Sequence, residues 1–253
     1  MAIDFSNKPG LVVYLTAGDP SLEATYDIAL AAIDNGAQVL ELGVPFSDPL
    51  ADGPVIQRAS ERAVARGIRL SDVLELCAKI RAARPEAGII LFSYLNPVVR
   101  MGLPEFCKAA KDAGADGVLL TDMIVEEAHE YLTEMAKHDL APVFLAAPTS
   151  PDERLKAIAE HSKGFVYAIS RVGITGTQSQ IASDAESLVK RLQQFATIPV
   201  AVGFGISTAE HVQSVSEFAD AAIVGSAIVK LIEDSAAGEE ATNVGKFVKS
   251  LRS

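Results

Sequence analysis

The 253-residue sequence has no tryptophan, two cysteines, four histidines and few basic side chains, and each shortage excludes a class of protein. Its 22 Lys and Arg residues are outnumbered by 33 Asp and Glu residues, which gives a formal net charge of −11. A chain of this charge is not expected to bind nucleic acid or an anionic membrane surface. No apolar run approaches the roughly 18 residues of a membrane-spanning helix. An anionic substrate must therefore be held by local dipoles and hydrogen bonds.

The scarce cysteines and histidines predict neither disulfides nor a metal centre. Cys77 and Cys107 fall in helical patterns without a paired spacing, so we interpret them as reduced thiols. No second ligand stands at a suitable spacing from any of the histidines, which are His129, His138, His161 and His211. The first ten residues lack the basic and apolar regions of a secretory signal. We therefore expect a cytoplasmic protein without a resident metal.

Short β-branched runs alternate with longer amphipathic stretches along the whole sequence. The strand candidates are 11–17, 38–43, 88–94, 117–122, 142–147, 165–170, 199–204 and 221–225. The amphipathic stretches between them include 22–34, 71–83, 105–113, 125–137, 152–161, 184–195 and 208–218. The strands are apolar on both faces, which is typical of parallel strands covered by helices on both sides.

Eight strands, each followed by a helix, predict one (β/α)8 TIM barrel that occupies residues 1–253 as a single domain. A doubly wound open sheet is the alternative, but the even spacing of the units favours closure. Long loops follow two strands, from Val44 to about Pro54 after strand 2 and from Arg171 to about Ser183 after strand 6. Barrels build their active sites at these carboxyl ends, and loops of such length are usually functional or disordered.

A glutamate, Glu41, lies inside the second predicted strand. Because side chains alternate along a strand, Val39, Glu41 and Gly43 share one face. Leu40 and Leu42 lie on the other face and suit the helix-facing layer, so Glu41 is expected to point into the barrel. Burial disfavours the charged form of a carboxyl and raises its pKa. The alternative is an interior ion pair, although no predicted strand carries a Lys or Arg.

A second carboxyl, Asp52, belongs to the loop after this strand. Prolines at positions 45, 49 and 54 restrict the loop, which could hold the carboxylate over the barrel mouth. An Asp before a Gly is also an ordinary turn residue. Two carboxyls in different surroundings can take different protonation states, so Glu41 and Asp52 together point to acid–base chemistry.

Glycines recur at the ends of the last three strands. They are Gly173 and Gly176 after strand 6, Gly203 and Gly205 after strand 7, and Gly225, followed by Ser226, after strand 8. Glycine lets the backbone approach a ligand closely, and free amides at a helix N-terminus favour a dianion. Barrels often bind phosphate between the loops after strands 7 and 8, so we expect a phosphate site here.

The segment 41–54, ELGVPFSDPLADGP, resembles the signature of the tryptophan synthase α subunit family. Further matches cover nearly the whole chain, at 16–20 (TAGDP), 94–97 (YLNP), 170–176 (SRVGITG), 203–207 (GFGIS) and 224–227 (VGSA). The resemblance implies a lyase of tryptophan biosynthesis. Its reaction would be the retro-aldol cleavage of indole-3-glycerol phosphate to indole and glyceraldehyde 3-phosphate.

The resemblance also implies roles for individual residues. Glu41 would protonate the indole at C3 and then take the glycerol hydroxyl proton, while Asp52 would accept a hydrogen bond from the ring N–H. Tyr167 corresponds to a family tyrosine near the catalytic glutamate, and Thr175 would close the strand-6 loop over the substrate. The indole pocket would be lined by Tyr14, Phe92, Leu119, Leu145 and Phe204. The phosphate would bind at Gly176, Gly205, Gly225 and Ser226.

The family assembles as an αββα heterotetramer in which indole passes to a β subunit that carries pyridoxal phosphate, so no cofactor is expected in this chain. The implied partner contacts are Pro45, Asp48, Asn96 and Asp122. Two departures stand out. About ten residues precede strand 1, where the family often has a helix, so the barrel bottom is expected to close differently. Ile124 stands where a proline is common in the family, which leaves the coupling to the β subunit open.

Three other functions stay open on the sequence. The chain could be a stand-alone indole-releasing lyase, which activity without a partner would distinguish. It could be a mainly regulatory phosphate-binding partner of the β subunit, against which the intact Glu41, Asp52 and Thr175 argue. It could be another phosphate-binding barrel, such as a sugar-phosphate isomerase or an aldolase. A Schiff-base aldolase would need a lysine on a strand, and the predicted strands carry none.

Overall fold

The computed structural model describes residues 3–169, 178–203 and 205–252. Its strands are β1 Gly10–Thr16, β2 Val39–Gly43, β3 Gly88–Ser93, β4 Gly117–Leu120, β5 Ala141–Val143, β6 Leu145–Ala146, β7 Val166–Ile169, β8 Val200–Gly203 and β9 Ala221–Val224. Its helices are α1 Leu22–Asp34, α2 Pro54–Ala65, α3 Leu70–Ala83, α4 Leu95–Met101, α5 Leu103–Asp112, α6 His129–Lys137, α7 Asp152–His161, α8 Gln178–Leu192, α9 Ala209–Ser216, α10 Ser226–Asp234 and α11 Glu240–Ser250. None of these helices is long and apolar enough to cross a membrane.

The strands form one parallel sheet in the order β5-β4-β3-β2-β1-β9-β8-β7-β6. Its two edge strands, β5 and β6, are separated only by Phe144, so they are the two halves of one predicted strand. Across this break the Phe144 carbonyl accepts a hydrogen bond from the Tyr167 backbone N–H at 3.1 Å. The same stretch of chain therefore pairs with β4 on one side and with β7 on the other. This closes the sheet and confirms the predicted barrel.

The helices follow the predicted stretches, with the differences described below, and α2 and α11 are additional to them. The predicted helix 125–137 is divided at Ala128 into a 3-10 turn, Val125–Glu127, and α6. Helix α8 already begins at Gln178, so the predicted end of the strand-6 loop near Ser183 is wrong. Residues 170–177 of that loop lie outside the described residues. Helix α4, directly after β3, is a further helix that the sequence pattern did not indicate. The strand-2 loop ends at Pro54, as expected.

Side-chain alternation along the strands divides the core into two layers. Leu40 and Leu42 belong to the large cluster between the sheet and the surrounding helices. The inward layer is a separate cluster that consists of Phe5, Val12, Val39, Ile90, Leu119, Val143, Phe165, Ala201, Ala221 and Ile223. The barrel interior is thus a packed apolar core below the site, and it excludes water from anything placed on top of it.

The N-terminal segment closes the bottom of the barrel without a helix, since residues 3–9 contain none. Phe5 inserts into the inward layer and packs edge-on against Phe165, with ring centroids 5.9 Å apart. The Gln38 side chain fixes the segment by donating to the carbonyls of Asp4 and Asn7 at 3.2 and 3.0 Å. Lys8 pairs with Asp220 at 3.1 Å. One aromatic side chain therefore fills the space under the barrel core.

Replacing this side chain should weaken the fold and leave the site intact. We expect Phe5→Ala to lower the free energy of unfolding by about 3–5 kcal/mol, because it removes a buried ring and leaves a cavity. Phe5→Leu conserves most of the volume and should cost less than about 1.5 kcal/mol. Urea unfolding followed by circular dichroism measures both. A Phe5→Ala chain as stable as the parent would contradict the assignment of Phe5 to the core.

Candidate active site

Glu41 lies in the middle of β2, with its side chain inside the barrel. Its register partners are Tyr14 on β1 and Ile90 on β3. The carboxyl is 1% exposed, and neither oxygen has a hydrogen-bond partner among the described residues. Burial without a counter-charge raises the pKa of Glu41 to about 8. The predicted inward orientation is confirmed. Glu41 forms no ion pair with any described residue, so the alternative interpretation of Glu41 is not supported.

Asp52 lies at the end of the β2–α2 loop and is held by Tyr94, which follows β3. The Tyr94 hydroxyl donates to Asp52 Oδ2 at 2.9 Å and accepts from the Ala51 backbone N–H at 2.9 Å. Partial burial raises the pKa of Asp52 to about 6, and the hydrogen bond from Tyr94 opposes that shift. Near pH 7 Asp52 is therefore mostly ionised while Glu41 keeps its proton. Acid–base catalysis by a pair of carboxyls requires this division.

Two tyrosines face the carboxyls: Tyr14 on β1, the neighbour of the Glu41 strand, and Tyr167 on β7. Burial is the main cause that raises the pKa of each phenol, and the charges of Glu41 and Asp52 raise both further. Both carboxyls therefore act on the same enclosed space. The hydroxyls fit because Gly43 and Gly203 have no side chain: a Cβ at either glycine would collide with the nearby phenol.

Apolar side chains surround the space next to the carboxyls. Phe92 meets Tyr14 edge-on, with ring centroids 5.1 Å apart. Leu145 pairs in register with Tyr167, and both are partly buried against the inward layer. Leu119 is the register partner of Phe92 and is fully buried in the inward layer. Phe204, predicted to complete this wall, lies outside the described residues.

The expected phosphate residues lie at the carboxyl ends of β8 and β9. Gly205 has a positive φ of 42° and open space where a Cβ would stand. Gly225 is the N-cap of α10 and Ser226 is its first residue, and among the described residues no N-cap side chain bonds the first amides of that helix. Gly225 also packs close to Tyr14, within reach of the carboxyl site. The other two predicted residues of this region, Thr175 and Gly176, lie outside the described residues.

The predicted partner residues lie on the loops after β2, β3 and β4. Asp48, Asn96 and Asp122 are exposed, whereas Pro45 is buried. Pro45 and Asn96 line a cleft of about 580 Å³ between the β2–α2 loop and α4. Asp122 accepts a hydrogen bond from the Leu95 backbone N–H at 2.7 Å and so joins two of these loops.

Sequence reasoning did not identify Tyr94 as part of the site. It stands in a quoted match, but no periodicity marks it as functional, because its contact with Asp52 spans 42 positions. One signal was available: Tyr94 directly follows β3, the barrel neighbour of the strand that carries Glu41. Polar residues at adjacent carboxyl ends of barrel strands converge on one site.

Comparisons with known proteins show which family the chain belongs to. The family model described as "Tryptophan synthase alpha chain" matches residues 2–251. The chain belongs to this family. A tryptophan synthase alpha chain from Solibacter usitatus is 49% identical over 91% of this chain and 86% of the relative. One from Neisseria meningitidis serogroup B is 47% identical over 96% of this chain and 92% of the relative.

Solved structures of the family have the same fold. Tryptophan synthase subunit alpha from Legionella pneumophila superposes with a TM-score of 0.88 at 38% identity, covering 96% of this chain and 91% of that one. A ligand-free tryptophan synthase structure from M. tuberculosis gives 0.87 at 34% identity, with the same coverages. The family, the TIM-barrel fold and the lyase function in tryptophan biosynthesis that the sequence predicted are confirmed.

Because the Glu41 carboxyl is buried without a partner, we expect that its replacement by a neutral side chain stabilises the fold by an amount that depends on pH. The unfolded chain ionises Glu41 near pH 4.5 and the folded chain near 8, so its contribution to stability is greatest below 4.5 and falls as the pH rises to 8. At pH 7 we expect Glu41→Gln to unfold with a free energy about 3 kcal/mol higher than the parent. The difference should shrink towards pH 4.5.

Urea midpoints of both chains at pH 5 and pH 7.5 test this expectation. Glu240→Gln on α11 is the matched control, because Glu240 is also buried but accepts a hydrogen bond from the Gly238 backbone N–H. A Glu41→Gln chain that is no more stable than the parent at pH 7.5 would contradict an unpaired, destabilising carboxyl.

Proposed function

We propose that the chain cleaves indole-3-glycerol phosphate to indole and glyceraldehyde 3-phosphate at the mouth of the barrel. Glu41 acts as acid and base, and Asp52 accepts the indole N–H. The observation that carries this proposal is the arrangement of a buried carboxyl without a hydrogen-bond partner and a partly buried carboxyl held by Tyr94, next to one apolar-walled space. Family membership supports the same reaction.

The protons balance over one turnover. Neutral Glu41 gives its proton to C3 of the indole ring, and the positive charge that develops on the ring nitrogen is stabilised by the Asp52 carboxylate. The bond between C3 and the glycerol chain then breaks, its electron pair restores the indole, and the adjacent glycerol hydroxyl becomes an aldehyde. The Glu41 carboxylate takes the proton of that hydroxyl and returns to its neutral form. The dry interior favours this neutral form before and after the reaction.

The remaining roles follow from position. The buried Tyr167 phenol faces the space that the two carboxyls share and would limit the room in which the substrate can lie. Tyr14, Phe92 and Leu145 provide an apolar wall for a flat ring, with Leu119 and Phe204 as further members. The uncapped α10 N-terminus at Gly225 and Ser226, together with Gly205 and Gly176, would bind the phosphate through backbone amides. Thr175 would close the loop after β7 over the substrate.

A β subunit is the proposed partner, in an αββα heterotetramer that receives indole from this chain. Pyridoxal phosphate would belong to that partner. Three large apolar side chains are exposed on neighbouring loops at the mouth: Leu50 after β2, Val99 in α4 and Ile124 after β4, at 90%, 63% and 46%. In the sequence, each of them lies within a few positions of one of the expected partner residues Asp48, Asn96 and Asp122. Exposed apolar groups interspersed with polar ones mark a protein-binding surface.

The two carboxyls predict a bell-shaped pH profile of kcat/KM. Activity requires Asp52 ionised and Glu41 protonated, so kcat/KM should rise as the pH passes about 6 and fall as it passes about 8. Asp52→Asn should reduce kcat by roughly 10²- to 10³-fold and abolish the acid limb. Steady-state rates between pH 5 and 9 measure both effects. An acid limb that persists in Asp52→Asn would show that another group controls it.

Indole release by the purified chain, alone and with a matching β subunit, tests the reaction itself. We expect slow release alone, a strong increase with the β subunit, and a loss of about 10²- to 10⁴-fold in Glu41→Gln. Glu240→Gln is the control and should keep the parent rate. Full release in Glu41→Gln would overturn its catalytic role, and fast release that the β subunit does not change would favour a stand-alone lyase.

A further inference from the structure

Helix α2, which follows the catalytic loop, is attached firmly to two other parts of the barrel top. The Arg62 guanidinium donates to both carboxylate oxygens of Asp19, at 2.9 and 2.7 Å, and Asp19 is only 4% exposed. Arg62 also reaches Glu233 on α10 at 2.8 Å, and Arg58 reaches the same carboxylate at 2.9 Å. Two-pronged pairs of this kind fix orientation as well as distance. Helix α2 therefore has a defined position relative to β1 and α10.

From this fixed helix, two side chains hold the β2–α2 loop at its opposite ends. The Ser60 hydroxyl accepts from the Phe46 backbone N–H at 2.8 Å and donates to the Phe46 carbonyl at 2.9 Å. The Gln57 side-chain amide donates to the carbonyl of Asp52 at 2.9 Å and to that of Pro49 at 3.3 Å. Between these points, Ser47, Asp48 and Leu50 are exposed. The loop is thus secured where it leaves the strand and where it carries Asp52.

The Gln57 side chain bonds the backbone of Asp52, the residue that carries the second carboxyl of the site. Tyr94 bonds the Asp52 carboxylate and the preceding backbone N–H at Ala51, and Gln57 bonds the Asp52 carbonyl from the other side. A side chain on a loop keeps its direction only when the backbone beneath it is fixed, because rotation of one peptide unit turns the carboxylate away. Gln57 supplies this constraint from the first turns of α2.

We propose that Gln57 is a positioning residue for Asp52: its side-chain amide fixes the loop backbone so that the Asp52 carboxylate faces the substrate space. This inference rests on the proposed function of Asp52. Gln57 itself need not touch the substrate. A displacement of about 1 Å at a reacting group can reduce turnover by about 10²-fold.

Gln57→Leu removes both hydrogen bonds at similar size and is the variant to test. We expect kcat for indole release to fall at least tenfold with a smaller change in KM. The acid limb of kcat/KM should move below pH 6, because a released Asp52 carboxyl is better hydrated and its pKa falls towards the usual value. The titratable groups that face the same space as Asp52 are unchanged in this variant; they are Glu41, Tyr14, Tyr94 and Tyr167.

The matched control is Gln38→Leu at the bottom of the barrel. Gln38 also donates its side-chain amide to two backbone carbonyls, those of Asp4 and Asn7. It should lower the urea midpoint without changing kcat or the acid limb. A double variant with Tyr94→Phe adds a further readout: since both side chains hold one residue, the combined loss in kcat should be smaller than the product of the single losses.

The Asp52→Asn variant, measured in parallel, distinguishes a failure of the role proposed for Gln57 from a failure of the role proposed for Asp52. If Gln57→Leu matches Gln38→Leu, with a lower urea midpoint and an unchanged kcat and acid limb, Gln57 is merely structural and the inference is overturned while Asp52 keeps its role. If Asp52→Asn releases indole at the parent rate, the role of Asp52 fails, and the positioning role fails with it.

Discussion

The burial of Glu41 is the constraint on which the site depends. The ladder of β2 fixes its neighbours as Tyr14 and Ile90, and the leucines on either side of it belong to the outer layer. A register slip of one residue would send two leucines inwards and the carboxyl into the apolar layer under the helices. The hydrophobic core therefore sets the position of a group that is itself unfavourable there. Deprived of water and of a counter-charge, Glu41 becomes a neutral acid at physiological pH.

The protonation state of Asp52 is set by its loop and by a hydrogen bond rather than by burial in a strand. This difference between Asp52 and Glu41 is what allows acid–base chemistry. Asp52 lies on a loop, is less deeply buried, and accepts a hydrogen bond from Tyr94 that favours its charged form. Two residues with nearly the same intrinsic pKa thus differ in protonation because one is in a dry strand position and the other in a hydrogen-bonded loop. The tyrosines around them stay neutral, since burial and the nearby carboxyls both raise the pKa of their phenols.

Much of this arrangement could be predicted from the sequence because it depends on local periodicity. Alternation in β2 was enough to place Glu41 inside and Leu40 outside, and eight apolar runs were enough for the barrel. The contacts of Asp52 could not be predicted in this way. They join residues as far apart as Tyr94 and Asp52, and they depend on the path of a proline-rich loop rather than on a repeating pattern. The closure of the barrel bottom by Phe5 could not be predicted either, because one aromatic residue before a strand has no distinctive sequence pattern.

The two carboxyls also differ in what can move them. Glu41 is fixed by backbone hydrogen bonds to strands on both sides, so a contact at the surface has little influence on it. Asp52 is fixed by the side chains of Gln57 on α2 and of Tyr94, which follows β3, and its loop exposes Leu50 only two residues away. The position of the first carboxyl is therefore set by a strand ladder, whereas that of the second depends on a few side-chain hydrogen bonds to a partly exposed loop.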